Sequence, residues 1–299
     1  KMKEVIDNLK TAQQLEFTQN YFKSVSGDFI MTIGANRAQV LDLTTSRIAS
    51  CPVDFPYKNS LATAFPSILF QQKYWCIPFD QEKMCYSKQL FQFDPATKRV
   101  AAICEAPNCD TFGYTASKNT FLAFDWVEKC FYRLNGEKFE KYLGQLKMNK
   151  AHVTCYMNHF VVLNWEASMI YLVDESLTKV VEVSYNFEDF QDWWITSVVE
   201  SLLIVFMRTK TGKKHVLIDV SVLLRNKIEN LIVFSQEKDL FDAGQKIEEL
   251  RRPFIFFHQN QFKFAKNGEF ADFKLCFSQF EDFHYDQWFE FMMMNRMFK

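Results

Sequence analysis

Residues 90–100 have the sequence LFQFDPATKRV, in which an apolar run is followed by an aspartate, a short polar segment and a second apolar position. Asp94 and Pro95 occupy the first two positions of a four-residue stretch, which is typical of a type I turn. An aspartate side chain at this point can accept a hydrogen bond from the backbone two residues on. The segment therefore predicts a β-hairpin whose turn starts at Asp94.

The same pattern occurs five more times along the chain. Its anchor residues, each an aspartate or asparagine after an apolar run, are Asp42, Asp94, Asn135, Asp174, Asp219 and Asn267. Their mean spacing is 45 residues. A glycine follows two of the asparagines, and Asn-Gly is a strong hairpin signal. A period of about 40–50 residues is typical of the blades of a β-propeller.

Further apolar runs lie between the anchors and suggest about four strands in each repeat. They include residues 29–33, 121–124, 152–156, 160–163 and 202–206. Runs without polar alternation are expected where a strand is buried on both faces. We predict an all-β chain that forms a β-propeller with six blades, one for each anchor. Seven blades, with one assembled from the two ends, are the alternative, whereas a large sandwich does not explain the 45-residue spacing.

The N-terminal segment differs from the repeat. Residues 2–17 place Met2, Val5, Ile6, Leu9 and Ala12 on one stripe with helical spacing. We predict an N-terminal helix within residues 1–20, ahead of a propeller domain at residues 21–299. This helix is either the end of an upstream coiled coil, which would allow self-association, or a helix packed on the propeller.

Two segments near the C-terminus also differ from the repeat. Residues 237–252 have apolar positions at helical spacing and are followed by Pro253, which predicts an inserted helix. The tail at residues 283–299 is rich in Phe, Trp and Met. We expect it to form a closing strand that removes a sheet edge, with a partner-binding segment as the alternative.

The segment from Leu90 to Thr97 resembles the strand and turn of kelch repeats, and Val40–Thr45 and Tyr171–Thr178 resemble it more loosely. The resemblance extends over residues 25–280. It implies a kelch-like propeller that acts as an adaptor, a ubiquitin-ligase substrate receptor or a component of a cytoskeletal or ciliary assembly.

Composition restricts the classes of partner. Hydrophobic residues make up 48% of the chain, enough for a large core, and the net charge is −1. So small a charge provides no field to attract a phosphate backbone, and we do not expect nucleic acid as a partner. The chain has no apolar run of 18 residues and no leader pattern, and its eight cysteines form no Cys-x-x-Cys pair. We therefore expect reduced thiols, a cytoplasmic protein with a cytoskeletal or ciliary location as the narrower option, and no membrane partner.

No catalytic, cofactor-binding or metal-binding residue is predicted. The sequence has no phosphate-binding glycine loop and no nucleophile elbow. His152 and His159 are seven residues apart, which places them on opposite faces of an extended strand. Three other sets of residues have simpler interpretations. Cys104 and Cys109 are interpreted as free cysteines. The acidic Glu188, Asp189 and Asp192 beside Trp193 and Trp194, and the basic Arg208, Lys210, Lys213 and Lys214, are interpreted as charged loops.

Two functions remain open at this point. The first is a non-catalytic interaction scaffold or adaptor that binds other proteins within a larger assembly. The alternative is a hydrolase or small-ligand-binding propeller with its site at the central channel, where polar and ionisable side chains would have to converge.

Overall fold

The structure contains 28 strands in the residues that it describes. It is a computed structural model. It describes residues 10–12, 22–23, 25–26, 29–34, 37–45, 47–55, 64–65, 67–71, 73–80, 83, 85–109, 113–142, 146, 148–164, 166–184, 190–199, 201–209, 212–222, 232–234, 254–258, 261–266, 269–272, 287, 290 and 294. The prediction of an all-β chain is confirmed. No helix in this part of the chain is long and apolar enough to cross a membrane.

Most of the strands belong to six antiparallel sheets, numbered I to VI along the chain. The strands of the first half are β1 (Lys10–Ala12), β2 (Phe22–Lys23), β3 (Val25–Ser26), β4 (Phe29–Gly34), β5 (Arg37–Asp42), β6 (Ile48–Pro52), β7 (Ala64–Phe65), β8 (Ser67–Phe70), β9 (Lys73–Cys76), β10 (Phe79–Asp80), β11 (Cys85–Tyr86), β12 (Gln89–Asp94) and β13 (Arg99–Glu105). Sheet I has the order β1-β6-β5-β4-β3, with β7 also paired to β4. Sheet II has the order β13-β12-β9-β8-β2, in which β2 is the one parallel strand, and β10 and β11 form a separate hairpin.

The remaining sheets are simple meanders in which each strand pairs with the next. Their strands are β14 (Tyr114–Ala116), β15 (Phe121–Asp125), β16 (Cys130–Asn135), β17 (Lys138–Lys141), β18 (Ala151–Tyr156), β19 (His159–Asn164), β20 (Met169–Val173), β21 (Lys179–Ser184), β22 (Phe190–Val199), β23 (Leu202–Thr209), β24 (Gly212–Asp219), β25 (Ile232–Phe234), β26 (Phe254–His258), β27 (Gln261–Lys266) and β28 (Glu269–Asp272). Sheets III, IV and V have four strands each, and sheet VI has three. Up-and-down sheets of four strands, repeated along the chain, are the units from which propellers are built.

The chain divides into two compact units, residues 1–186 with 266–269 and residues 187–265 with 270–299. In the first unit, sheets I to IV pack face to face in chain order. Three apolar clusters join them, one between sheets I and II, one between II and III, and one between III and IV. The first strand of sheet III, β14, contacts both β8 of sheet II and β18 of sheet IV. This is how neighbouring blades of a propeller pack.

Burial on both faces explains the unbroken apolar runs. All five residues of β15 are buried. Phe121 and Ala123 belong to the cluster shared with sheet II, whereas Leu122 and Phe124 belong to the cluster shared with sheet IV. Because successive side chains of a strand point to opposite faces, a strand between two sheets needs an apolar residue at every position.

Five of the six anchor residues lie at or directly after the end of the third antiparallel strand of a sheet, as the repeat predicts. They are Asp42, Asp94, Asn135, Asp174 and Asp219, at β5, β12, β16, β20 and β24. Each of the four aspartates accepts a hydrogen bond from the backbone N–H two residues later, at 2.8, 2.8, 2.9 and 3.0 Å respectively. These are Asx-turns, which satisfy backbone groups that the strands leave unpaired.

Asp42 ends β5, the third strand of sheet I when strands are counted from the edge strand β3. Sheet I therefore has its anchor at the same turn as the other sheets, and β1 adds a further strand beyond β6. The step from Asp42 to Asp94, 52 residues, is the longest of the series, and it contains the separate β10–β11 hairpin between β9 and β12.

Asn135 and Gly136 do mark a hairpin, but the two loop residues are one position later than the Asn-Gly pair. Asn135 pairs with Lys138, so Gly136 and Glu137 are the two loop residues. Gly136 has φ +61°, and glycine at the first loop position is the preference of a type II′ turn. The sixth anchor, Asn267, lies outside the described residues.

The predicted N-terminal helix is wrong for residues 10–12. These residues form β1, which pairs antiparallel with β6 from Lys10↔Ser50 to Ala12↔Ile48. The apolar stripe suggested a helix, but the free edge of β6 offers a row of backbone hydrogen bonds that short-range periodicity does not reveal. The other residues of that helix, and the inserted helix at 237–252, lie outside the described residues.

The closing strand expected in the tail is also wrong for the three tail residues that are described. Gln287, Glu290 and Met294 are helical and exposed.

Tyr74 contains a buried polar atom without a partner among the described residues, and replacing Tyr74 with Phe should stabilise the chain. The side chain is 1% exposed, and its hydroxyl forms no hydrogen bond within the part of the chain that the structure describes. Burial raises the pKa of this phenol to about 12. Removing the hydroxyl eliminates an uncompensated desolvation cost, so Tyr74→Phe should raise the free energy of unfolding in urea by about 1 kcal/mol.

The control is Tyr114→Phe, at a fully buried tyrosine whose oxygen accepts a hydrogen bond from the backbone N–H of Ile77. This variant should lose stability because the amide is left unpaired. Equal changes in the free energy of unfolding for the two variants would contradict the conclusion that the Tyr74 hydroxyl is unpaired and the Tyr114 hydroxyl is paired.

Asp174 should make folding stability depend on pH. The Ser176 hydroxyl lowers the pKa of this carboxyl most, burial acts in the opposite direction, and the amides of Thr178 and Ser176 lower it further. A depressed folded pKa contributes stability above the unfolded pKa of about 3.9 and loses it as the pH falls through the folded value. The stability lost by Asp174→Asn, measured by urea unfolding, should therefore be larger at pH 6.5 than at pH 3. Equal losses of stability at the two pH values would contradict this role of Asp174.

Candidate functional site

The candidates weighed from the sequence do not form a common site in the described residues. His152 is buried on β18, and His159, on the next strand, has its Nδ1 3.0 Å from the Met157 carbonyl oxygen. Opposite His152 on the neighbouring strand is Leu163. The two histidines are therefore at separate positions of the sheet. Within the described residues, no three His, Cys, Asp or Glu side chains are placed to hold a metal ion.

The basic residues at 208–214 and the acidic residues at 188–194 do not form a common site with other functional side chains in the described residues either. Arg208 and Lys213 are opposite each other in the β23–β24 hairpin, with Lys214 next to them opposite Met207. This agrees with a charged hairpin end. Asp192, Trp193 and Trp194 lie on β22, whereas Lys210, Glu188 and Asp189 are outside the described residues.

Burial makes several thiols poor nucleophiles. It raises the pKa of Cys51, Cys76 and Cys104, and Cys109 is 2% exposed. Because the thiolate is the reactive form, these cysteines act as small apolar side chains.

The most distinctive surface feature is a groove at one end of sheets III and IV, where their second strands end and their first strands begin. It has a volume of about 520 Å³. We call it the Trp126 groove, and its lining residues are Gly113, Phe124, Trp126, Lys129, Asn149, Lys150, Ala151 and Glu166. Ligand pockets span about 300–1,000 Å³, so the groove is large enough for several side chains of a partner.

Asp125 fixes one wall of the groove. It is 2% exposed, and its Oδ1 accepts hydrogen bonds from the backbone N–H groups of Val127 and Glu128, both at 2.8 Å. Its Oδ2 accepts from the backbone and side-chain nitrogens of Asn108, at 2.8 and 3.1 Å. One carboxylate thus joins the β15–β16 turn to the segment that precedes sheet III.

This turn presents two apolar side chains to solvent. Trp126 is 59% exposed and Val127 is 56% exposed, although the Trp126 backbone N–H donates to the Asn108 carbonyl at 2.9 Å. Only Met294 joins them among the exposed large hydrophobic residues of the described chain. The backbone is held while the indole is solvated, so the exposure of Trp126 is built into the turn.

The opposite wall comes from sheet IV. Asn149, just before β18, donates to the Glu166 carboxylate at 2.6 Å. Glu166 lies in the β19–β20 turn, where the Asn164 side chain accepts from the Ala167 N–H at 3.3 Å. An asparagine therefore anchors this turn as Asp125 anchors the other, and the Glu166 carboxylate is held within the wall.

Two of the three charged side chains that line the groove are cationic, so the lining carries a net charge of +1. Lys129 and Lys150 line it and have no ion pair within the described residues. Glu128, in the same turn as Trp126, is occupied elsewhere: it accepts from the Lys141 ammonium at 2.8 Å and the Tyr132 hydroxyl at 2.9 Å. The groove combines an indole ring, two ammonium groups and one carboxylate that already has a partner.

The sequence analysis did not identify this groove. The relevant signal is an Asp or Asn followed by Trp at the end of an apolar run, and it occurs twice, at Asp125-Trp126 and Asn164-Trp165. The two copies are 39 residues apart, one repeat. A tryptophan that directly follows the Asp or Asn at the end of an apolar run is a better indicator of a surface than the abundance of Phe. The structure of Trp165 itself lies outside the described residues.

The sequence matches no protein-family profile and no curated protein. Several solved structures have a similar fold. BamB from Moraxella catarrhalis is 12% identical, with a TM-score of 0.39 over 65% of this chain and 56% of its own. A catalytically inactive virginiamycin B lyase from Staphylococcus aureus with quinupristin is 13% identical, with a TM-score of 0.46 over 90% of both chains. BBS1N in complex with ARL6DN is 9% identical, with a TM-score of 0.45 over 82% of this chain and 73% of its own.

These proteins are β-propellers. The comparison does not bear specifically on kelch repeats, and the chain spans little more than half of the BamB chain. At this level of similarity the comparison assigns no function.

Asp125→Ala should release the turn that carries Trp126. The variant loses hydrogen bonds from two turn amides and from Asn108, so the free energy of unfolding in urea should fall by about 3 kcal/mol. Asp125→Asn retains one carbonyl oxygen and should lose less. Asp94→Ala is the matched control, because its exposed Asx-turn has no partner on a neighbouring segment and should cost about 1 kcal/mol. A loss no greater than that of the control would contradict the anchoring role.

Proposed function

We propose that the chain is a non-catalytic protein-interaction module built on a β-propeller, and that partners bind at the Trp126 groove. The exposed indole of Trp126 on a hydrogen-bonded backbone is the observation that carries this proposal. Tryptophan is enriched among the residues that dominate binding energy at interfaces. A side chain presented on a fixed backbone also loses less conformational entropy on binding than one on a mobile loop.

The chemistry of the groove supports binding better than catalysis. The carboxylate of Glu166 is held by Asn149, and the side chains that remain are an indole and two ammonium groups. A hydrolytic site requires a nucleophile or an activated water next to a general base. Neither arrangement is formed by the residues that line the groove.

The six sheets of three or more strands support a propeller with six blades, with the kelch-like turn at Asp94 as its most regular repeat. Within the proposal the protein acts as an adaptor in the cytoplasm and holds its partners through loops at the ends of the sheets. Broad loop-bearing ends on a rigid scaffold are well suited to this task.

A photo-crosslinking amino acid at Val127 tests the proposal in the source cell. Val127 is exposed beside Trp126, so crosslinking of the full chain should give a discrete adduct with a partner protein. Trp126→Ser should abolish the adduct without changing the urea unfolding midpoint, because the side chain is largely solvated.

The matched control places the same amino acid at Met294, which is equally exposed at 56%. It should give no adduct or a different set of adducts. Identical adducts from both positions, or an adduct that survives Trp126→Ser, would mean that the groove is not the binding surface.

A further inference from the structure

We propose that the Trp126 groove binds an acidic segment of a partner protein, with one large apolar side chain against Trp126 and flanking carboxylates at Lys129 and Lys150. This inference rests on the proposed function and names the chemistry of the partner. It follows from three properties of the groove: its apolar surface, its available charges and its shape.

The apolar surface defines an anchor point. Trp126 and Phe124 both line the groove, but Phe124 is 1% exposed and already packed in the core. Trp126 therefore provides the free apolar area. An indole favours an aromatic or long aliphatic side chain, which buries apolar surface against the ring.

The charges in the groove indicate which charge the bound segment should carry. Lys129 and Lys150 lie on the two walls, one from the sheet III turn and one from the residue before sheet IV. The carboxylate of Glu166 has Asn149 as a hydrogen-bond donor at 2.6 Å, and Glu128 has Lys141 and Tyr132. Charge complementarity then favours a segment with carboxylates on both sides of the anchor.

The shape favours a protein segment over a bilayer. A lysine–tryptophan combination also suits an anionic membrane surface, which is flat. Here both lysines and the indole line one groove of about 520 Å³ between turns of two different sheets. A chain segment can enter a groove of this volume, whereas a flat bilayer surface reaches only its rim.

The backbone at both lysines is held in position by turn geometry and packing. Lys129 has φ +56°, a left-handed conformation that completes the four-residue turn after Asp125. Lys150 directly precedes β18, whose side chains at Ala151 and Val153 are buried between sheets III and IV. Both lysines are thus attached to backbone that packing holds in position.

The experiment measures binding of labelled ten-residue peptides to the full chain by fluorescence anisotropy. The probe has one Phe at its centre and two Asp on each side in a Gly/Ser background. Two matched peptides replace either the Phe with Ser or the four Asp with Lys. We expect the probe to bind at least tenfold more tightly than either matched peptide, and to weaken as the salt concentration rises.

Variants of the chain locate the binding. Lys129→Glu with Lys150→Glu, and separately Trp126→Ser, should each weaken the probe at least tenfold. Lys73→Glu with Lys88→Glu changes the net charge equally at exposed lysines of sheet II and should change the affinity less than twofold. An equal loss in both lysine pairs would show that only net charge matters and would overturn the inference.

Two further outcomes would also overturn it. One is equal binding of the Ser peptide, which removes the role of the anchor. The other is Trp126-dependent binding to vesicles with 30% phosphatidylserine without binding of the probe. If the Val127 crosslink to a partner protein persists in either case, the proposed function stands and only the acidic segment is wrong; if the crosslink also fails, both are wrong.

Discussion

The structure depends on strands that are buried on both faces. β15 shows this most clearly: Phe121 and Ala123 pack towards sheet II, and Leu122 and Phe124 pack towards sheet IV. Each such strand joins two apolar clusters, so the sheets must pack in chain order. The large number of Phe residues, 33 in the chain, follows from this arrangement, because adjoining sheets about 10 Å apart need large side chains between them.

A strand surrounded by apolar neighbours must end where water or a polar partner is available. Here the ends are marked by Asp or Asn, whose side chains accept hydrogen bonds from the next backbone amides. Asp125 does so at the edge of the core and also binds Asn108. The hydrogen bonds of Asp125 that end the buried strand β15 thus also hold the turn on which Trp126 is exposed. The groove is therefore a consequence of how this strand ends.

Much of the fold could be predicted from the sequence because its signals are local. The apolar runs and the turns at Asp94, Asp174 and Asp219 depend on neighbouring residues only, and the structure agrees with them. The pairing of β1 with β6 could not be predicted, because Lys10–Ala12 pairs with residues that are about 38 positions away in sequence and a helical stripe is the stronger local pattern.

The groove was not predicted because its two walls come from separate repeats. Lys129 and Glu166 are far apart in sequence, and only the packing of sheet III on sheet IV brings their turns together. The exposure of Trp126 was equally hidden, since a tryptophan beside the run Phe121–Phe124 resembles one more core residue. What distinguishes it is its position one residue after Asp125, outside the strand.

The central claim is that Trp126 is a solvated side chain on a fixed turn, which a partner protein covers. Fluorine NMR of the full chain labelled with 5-fluorotryptophan tests it directly, with the Trp126 resonance assigned by Trp126→Phe. The account predicts a single Trp126 resonance with a large solvent isotope shift between H₂O and D₂O, and loss of that shift when the partner is bound. A Trp126 resonance without an isotope shift in the free chain, or one that the bound partner leaves unchanged, would contradict it.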